Sequence, residues 1–353
     1  MKIYSLRRLL VSLFVILAAL ATRAPRAAFA ATPPPPAESY HLIKKVVLGG
    51  EGFWDYLGID PANRHLFVSH GTHVMVLNAG TYAVVGDIPD TPGVHGIAIA
   101  PDAGRGYISD GRANQVTIFD LKTLKTIGTA KTGEGPDGII YDPASKRVFT
   151  FNGEGNSSTA IDAATGAVVG TFDLGGRPEF AAADGEGHVY NNLEDKSIVL
   201  QIDSKSLKIL NRWPLAPGES PSGMAIDAAH RRLFIGCHNQ MMAIMNADTG
   251  KVVATVPIGK GVDANRFDPG TQFAFSSNGD GTLTVVHEDS PDKYTVVDNV
   301  QTQRGARTME LDPETHKVFL VTAEFGPMPP AKPGERHFPP IVPGSFTLLV
   351  FGR

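Results

Sequence analysis

A stretch of about forty-two residues recurs along this chain, and that recurrence restricts what the chain can fold into more than any other feature. Residues 94–135 show it most clearly. An apolar run ends at Pro101 and Asp102, a second (106–109) meets a polar turn at 110–114, and a third (115–119) passes through 120–123 into a fourth (124–129). Four short apolar segments parted by Asp, Asn, Gly and Pro read as four strands joined by tight turns. With the turn after each first strand as marker, the unit returns at Asp60, Ala100, Asp142, Asp184, Asp227, Asp268 and Asp312, at spacings of 40, 42, 42, 43, 41 and 44. Seven units of this WD40-like length predict a radial array of small sheets. A TIM barrel is excluded, because no helical pattern separates the strands.

The two ends of the chain predict how the array closes. The chain stops at Arg353, just after the third strand of the seventh unit (346–351), so only six fourth strands lie downstream of a third. Residues 41–48, HLIKKVVL, precede the first unit and belong to none. A ring whose last blade is completed by this amino-terminal strand uses every segment once and leaves no open sheet edge. The expectation is therefore all-β: one domain over residues 40–353, a seven-bladed β-propeller, and a monomer.

The first thirty residues read differently. Lys2, Arg7 and Arg8 precede the apolar run 9–20, and Ala28-Phe29-Ala30 has the small-x-small pattern of a cleavage site. Residues 1–30 thus read as a secretory signal. A retained anchor is the alternative, against which the apolar run is short, and Arg7-Arg8 leaves both Sec and twin-arginine export open. Residues 31–39, with four consecutive prolines, read as an extended tether. The expected location is periplasmic or secreted, with no membrane span after cleavage. The leader holds five of the 32 basic residues and no acid, leaving 27 basic against 36 acidic groups, a formal charge of -9. Such a surface does not suit nucleic acid. Cys237 is the only cysteine, so no internal disulfide exists.

Two tetrads carry a family resemblance. Tyr107-Ile108-Ser109-Asp110 and Val189-Tyr190-Asn191-Asn192 stand in second strands, while 66–69, 233–236 and 318–321 keep only the apolar half. The pattern resembles the YVTN-type repeat of YncE-like propellers of the bacterial cell envelope, over essentially all of residues 40–353. The resemblance implies an exported propeller, an envelope protein as partner and, through one relative, DNA binding, which runs against the acidic charge.

In a propeller the leading ends of the innermost strands converge on the axis. The residues five before each marker are Asp55, His95, Asp137, Glu179, Ser222, Asp263 and Arg307. Turn chemistry does not explain such a series, and crowded carboxylates demand a cation, a proton or an arginine. A second ring at the ends of the second strands offers His70, Asp110, Asn152, Asn192, His238, Asn278 and Glu324; these are turn formers or ligand contacts. Asp137, Glu179, Asn152 and Asn192 supply the oxygens Ca²⁺ accepts, and His95 with His70 or His73 offers Zn²⁺ or copper a site. Cys237, His238, Met241, Met242 and Met245 raise a copper alternative against plain strand packing. Residues 324–344, with seven prolines, read as a lid over the channel mouth or a surface ornament.

The function expected from these residues is a non-enzymatic binding scaffold, with a small polar ligand, a metal or a partner protein at the channel mouth. Its ligand contacts would be Asp55, His95, Asp137, Glu179, Asp263, Arg307, His70 and His238. The alternative is a metal-dependent, lactonase- or lyase-like enzyme in which Glu179 and Asn152 hold a divalent ion and His95 shuttles the proton.

Overall fold

A computed structural model of the chain describes residues 39–328 and 339–353. Within them the strands form seven antiparallel sheets of four, each built from consecutive strands except the last. The innermost strands are Leu57–Asp60, Val94–Ala100, Pro136–Asp142, Pro178–Ala183, Pro221–Asp227, Val262–Asp268 and Met309–Asp312. They match the seven first strands read from the repeat, and they define blades one to seven. The expected signal (1–30), almost all of the tether (31–38) and the middle of the Pro-rich loop (329–338) lie outside the described residues. Among the described residues no helix is long and apolar enough to cross a membrane.

The closure is the one expected. In the seventh blade the order from the axis outward is Met309–Asp312, Lys317–Thr322, Thr347–Gly352 and His41–Val47. His41 lies opposite Gly352 and Val47 opposite Thr347, with one bulge between Leu42 and Lys44. Tyr40, to which the sequence assigned no role, fastens this strand. Its ring meets Phe275 edge-on at 5.0 Å, and its hydroxyl donates to the His316 carbonyl at 2.9 Å.

The second and third strands of each blade are buried and the fourth is half exposed, which is why the second strands read as near-continuous apolar runs. The tetrads turn out to join blades. The Tyr107 hydroxyl donates to the Ala163 carbonyl of the next blade at 2.6 Å, and Tyr190 does the same to Ala247 at 3.1 Å. The strand ladder aligns Tyr190 with Tyr107, because Arg105 pairs with Asp120 as His188 pairs with Asp203. The second tetrad therefore begins at Tyr190, one residue later than its sequence reading. At its base the Pro-rich loop is pinned by a bridge between Phe325 and Ile341.

The anchoring of the closing strand is testable. Tyr40→Ala deletes a ring that is 4 % exposed. It is expected to lower unfolding free energy by about 3–5 kcal/mol, read from the denaturant midpoint. A midpoint equal to that of the parent would show that the strand is held by its backbone ladder alone.

Candidate functional site

Five of the seven leading-end residues are in register because blades two to six start their inner strands the same way, while Asp55 and Arg307 precede the shorter inner strands of blades one and seven. Val94, Pro136, Pro178, Pro221 and Val262 pair with the last residue of their second strand, and the ladder then slips before pairing resumes. A bulge of this kind releases a residue from the ladder and re-aims its side chain. The residue released is His95, Asp137, Glu179, Ser222 or Asp263. Glycine after it lets the inner strands close up: a Cβ on Gly96 would stand 2.6 Å from the Ile139 side chain, and one on Gly223 2.7 Å from the Asn265 amide nitrogen.

The second strands hold these residues by their backbone. Ser109 Oγ donates to the Asp137 carbonyl at 2.5 Å and Asn192 Nδ2 to that of Ser222 at 2.8 Å, while Ser277 donates to the Arg307 carbonyl. Each bond crosses to the following blade. Ser69 Oγ accepts from the Asp55 amide at 2.8 Å, and Asn191 Nδ2 donates to the Glu179 carbonyl at 3.0 Å.

The side chains so placed form one charged cluster. His95 Nδ1 lies 2.7 Å from Asp55 Oδ2 and 3.5 Å from Asp137 Oδ1. Arg307 reaches Asp263 at 2.8 Å and Asp55 at 3.7 Å, and Ser222 Oγ donates to Asp263 at 3.0 Å. Arg177 bridges Glu179 (3.2 Å) and Glu194 (3.1 Å) at the rim. Five carboxylates thus face three cations, Arg307, Arg177 and His95. Below them Tyr56 packs edge-on against Phe180 at 4.6 Å, above a cavity of about 300 Å³ bounded by the inner strands.

Burial sets the protonation of the cluster. Burial opposes the His95 imidazolium, but the hydrogen bond to Asp55 and the charges of Asp137 and Asp55 outweigh it and lift His95 to about 9. Burial pushes Asp137 up to about 7, with His95 opposing and Asp55 and Asp263 assisting. Glu179 rises to about 9 through burial and the charges of Asp137 and Asp263. Asp263 is also raised by burial, against the pull of Arg307.

The second ring behaves otherwise. The ladder aligns His70, Asp110, Asn152 and Asn278 with Leu193, Cys237 and Thr322, so Asn192 was read one residue early, His238 one late and Glu324 two late. In a strand a one-residue slip reverses the face. Asn152 and Asn278 spend their amides on hydroxyls of their own third strands. Asp110 accepts from Thr117 at 2.6 Å, and burial raises it to about 6. His70 stacks on Phe346 at 4.1 Å, and burial lowers it to about 4, so it is a neutral packing residue outside the cluster. His238 is exposed, 3.7 Å from Glu194. Cys237 is fully buried and burial pushes its thiol up to about 12, while Met242 and Met245 belong to the core; the copper alternative finds no assembled ligand set.

Two groups of Asp, His and Glu among the described residues bring donor atoms within 4.8 Å of one another, close enough to share a divalent cation. One is Asp55, His95 and Asp137 in the axial cluster; the other, Asp227, His230 and Glu288, lies at the far end of the ring. Of the four expected metal donors only Asp137 is in either. Arg177 and Glu194 were missed, since they stand outside the five-before-marker position and no motif singles them out.

No family model matches the chain, and no curated protein matches it. Solved structures do match. The WD40 repeats of RRP9 superpose with a TM-score of 0.74 at 10 % identity, covering 90 % of this chain and 99 % of that one. U3-55K gives 0.72 at 10 %, covering 89 % and 99 %, and a chain of a mitotic checkpoint complex gives 0.70 at 16 %, covering 87 % and 96 %. At these identities the likeness shows the propeller fold alone. None of the three is a YVTN-type envelope protein. The expectation of an exported, signal-bearing protein, periplasmic or secreted, is corrected on that ground, and a fold likeness supplies no compartment in its place.

The raised groups fix a sign for pH dependence. Above the unfolded values of Asp137 and Glu179, near 4, the folded chain binds more protons than the unfolded one, and His95 keeps this true up to about 9. The contribution of this cluster to stability is therefore greatest at low pH and declines from about pH 4 to 9. Glu179→Gln is expected to flatten that decline and to stabilise the chain at pH 8 by about 1–3 kcal/mol, measured by thermal unfolding across the range. An unchanged slope would show that Glu179 is ionised in the fold.

Proposed function

We propose that the chain is a non-enzymatic binding scaffold whose axial cluster takes a cation, either a divalent metal or the ammonium group of a small polar ligand. The observation that carries this reading is the surplus of carboxylates: Asp55, Asp137, Glu179, Asp263 and Glu194 against His95, Arg177 and Arg307. Buried like charges are relieved by a proton or by a cation, and Asp137 and Glu179 take up protons when no cation is supplied. Nucleic acid fits such a cluster poorly.

The enzymatic alternative draws on the Asp55, His95 and Asp137 donors. It is weakened by the state of His95. An imidazole held near 9 between two carboxylates is already protonated at neutral pH and cannot accept a proton from a substrate. Ligation of a metal there requires His95 to lose that proton, so metal uptake would release it and strengthen with pH.

Calorimetric titration with Zn²⁺, Mn²⁺, Ca²⁺ and a small primary amine at pH 6 and 8 tests the reading. Asp137→Asn combined with Glu179→Gln is expected to weaken the bound cation at least about tenfold, a change of about 1.4 kcal/mol, while Lys44→Ala on the outer strand leaves it unaltered. If the parent chain binds none of the four below about 1 mM, the cation reading is wrong.

A further inference from the structure

Six of the seven turns at the far end of the ring carry a marker aspartate, and only Asp227 leaves its second oxygen without a hydrogen bond; Asp60 and Asp142 spend theirs on Asn63 and Ser145 of their own turns. Each inner strand ends in its marker residue or, in the fourth blade, one residue before it, and where the marker is Asp, an oxygen caps the following turn: Oδ1 of Asp227 accepts the amides of Ala229 (3.0 Å) and His230 (3.3 Å). At three junctions the second oxygen takes a nitrogen donor from a side chain of the next blade. Arg231 reaches Asp184 at 2.8 Å, His316 reaches Asp268 at 2.8 Å, and Arg64 reaches Asp312 at 2.6 Å. These three side chains hold one turn position, always in the left-handed region (φ 59, 57 and 54). Between the fifth and sixth blades that position is Gln272 (φ 59), whose amide turns back to the Pro269 carbonyl at 2.8 Å.

A second carboxylate arrives at the junction where the marker oxygen is left unpaired. The residue after the third strand in the first five blades, and its counterpart within the longer third strand of the sixth (Thr282–Ser290), donates its amide to that turn position: Ala79 to Arg64, Leu121 to Gly104, Ala163 to Lys146, Ser204 to Gly187, Ala247 to Arg231 and Glu288 to Gln272. Five of these six equivalent slots are buried and hold Ala, Leu or Ser. The sixth holds Glu288, with a side chain 0 % exposed. Neither of its carboxylate oxygens, nor Oδ2 of Asp227, has a hydrogen-bond partner. His230 Nδ1 lies 2.6 Å from Asp227 Oδ2 and 3.1 Å from Glu288 Oε1, close but without hydrogen-bond alignment.

We propose that Asp227, His230 and Glu288 form a zinc-class divalent metal site that ties the fifth blade to the sixth. Two carboxylates match the charge of a divalent ion, and an imidazole with two carboxylate oxygens is a donor set for Zn²⁺ rather than for Ca²⁺, which wants six or more oxygens. His230 is half exposed, which leaves a path for the ion and room for a water as a further ligand. The site is separate from the axial cluster, since Asp227 ends the inner strand whose second residue is Ser222, about 16 Å away along an extended chain.

The test uses a chain carrying His95→Ala and Asp137→Asn, so that the axial donors are absent. It is stripped with a chelator and titrated with Zn²⁺ by calorimetry, with thermal unfolding in parallel. One Zn²⁺ per chain and a Tm that climbs with zinc concentration are expected. Adding Glu288→Ala, the residue that blades one, three and five hold in that slot, should abolish binding and raise the metal-free Tm. His230→Gln, on an exposed side chain, should lose at least tenfold in affinity and reads the same site if Glu288→Ala does not fold. The proposal is overturned if the axial-silenced chain binds no Zn²⁺, or if both further variants bind as tightly as it does. A Tm gain in Glu288→Ala without zinc binding in its parent also overturns it, and assigns the pair a shared proton instead.

Discussion

The pairing of His41–Val47 with Thr347–Gly352 is the contact on which the rest depends. Each axial residue comes from a different blade, so their distances exist only while the ring is closed. The seam shows this directly. Arg307, from the last blade, lies between Asp263 of the sixth and Asp55 of the first, and at the other end of the ring Arg64 of the first blade holds Asp312 of the last. Both ends of the seam are thus stapled by arginine, whose planar fork suits carboxylates and stays charged when half buried. An open array would leave each of these carboxylates in water, where neither its repulsions nor its shifted protonation would survive.

Closure concentrates charge at both ends, and the two ends handle it differently. At the turn end the usual solution is local: a carboxylate caps a turn with one oxygen and, with the other, accepts from a side chain of its own turn or of the next blade. At the axial end the acids outnumber the bases, and the shortfall is met by protons on Glu179 and Asp137. Burying a carboxyl beside other carboxyls costs stability that a Gln or Ser would not. Ser222 shows that the position accepts a neutral residue without losing its place, since its hydroxyl simply donates to Asp263. The acids at the other positions are therefore not required by the fold, which is the strongest structural reason to connect them with a ligand.

The fold was legible because its signal is a period, and a period survives local irregularity. The axial residues were legible for the same reason: the bulge that turns them inward recurs at one offset from the marker. The second ring was misread because its members were counted along the sequence. The turn between first and second strands is one residue shorter in the fourth blade, where Asp184 faces His188 four residues on, than in the fifth, where Asp227 faces Arg232 five on. Asn192 and His238 stood in for Leu193 and Cys237. Only the ladder restores the register. Arg177 and Glu288 carry no motif, and their meaning appears once equivalent positions are superposed in space.

A repeat protein supplies its own controls, because one environment is built several times in one chain. A departure from the common residue is informative only when it leaves something unsatisfied. Cys237 stands where other blades hold His70, Asp110, Asn152 or Asn278, yet it leaves no polar demand: the thiol is buried as an apolar filler beside the core methionines. Glu288 departs in the opposite sense. It brings an ionisable group into a slot otherwise filled by small or apolar side chains, opposite a carboxylate oxygen that has no hydrogen-bond partner. The first substitution is absorbed by packing; the second creates a charge that packing cannot absorb, and it is that difference, not rarity in the repeat, that separates a site from a variation.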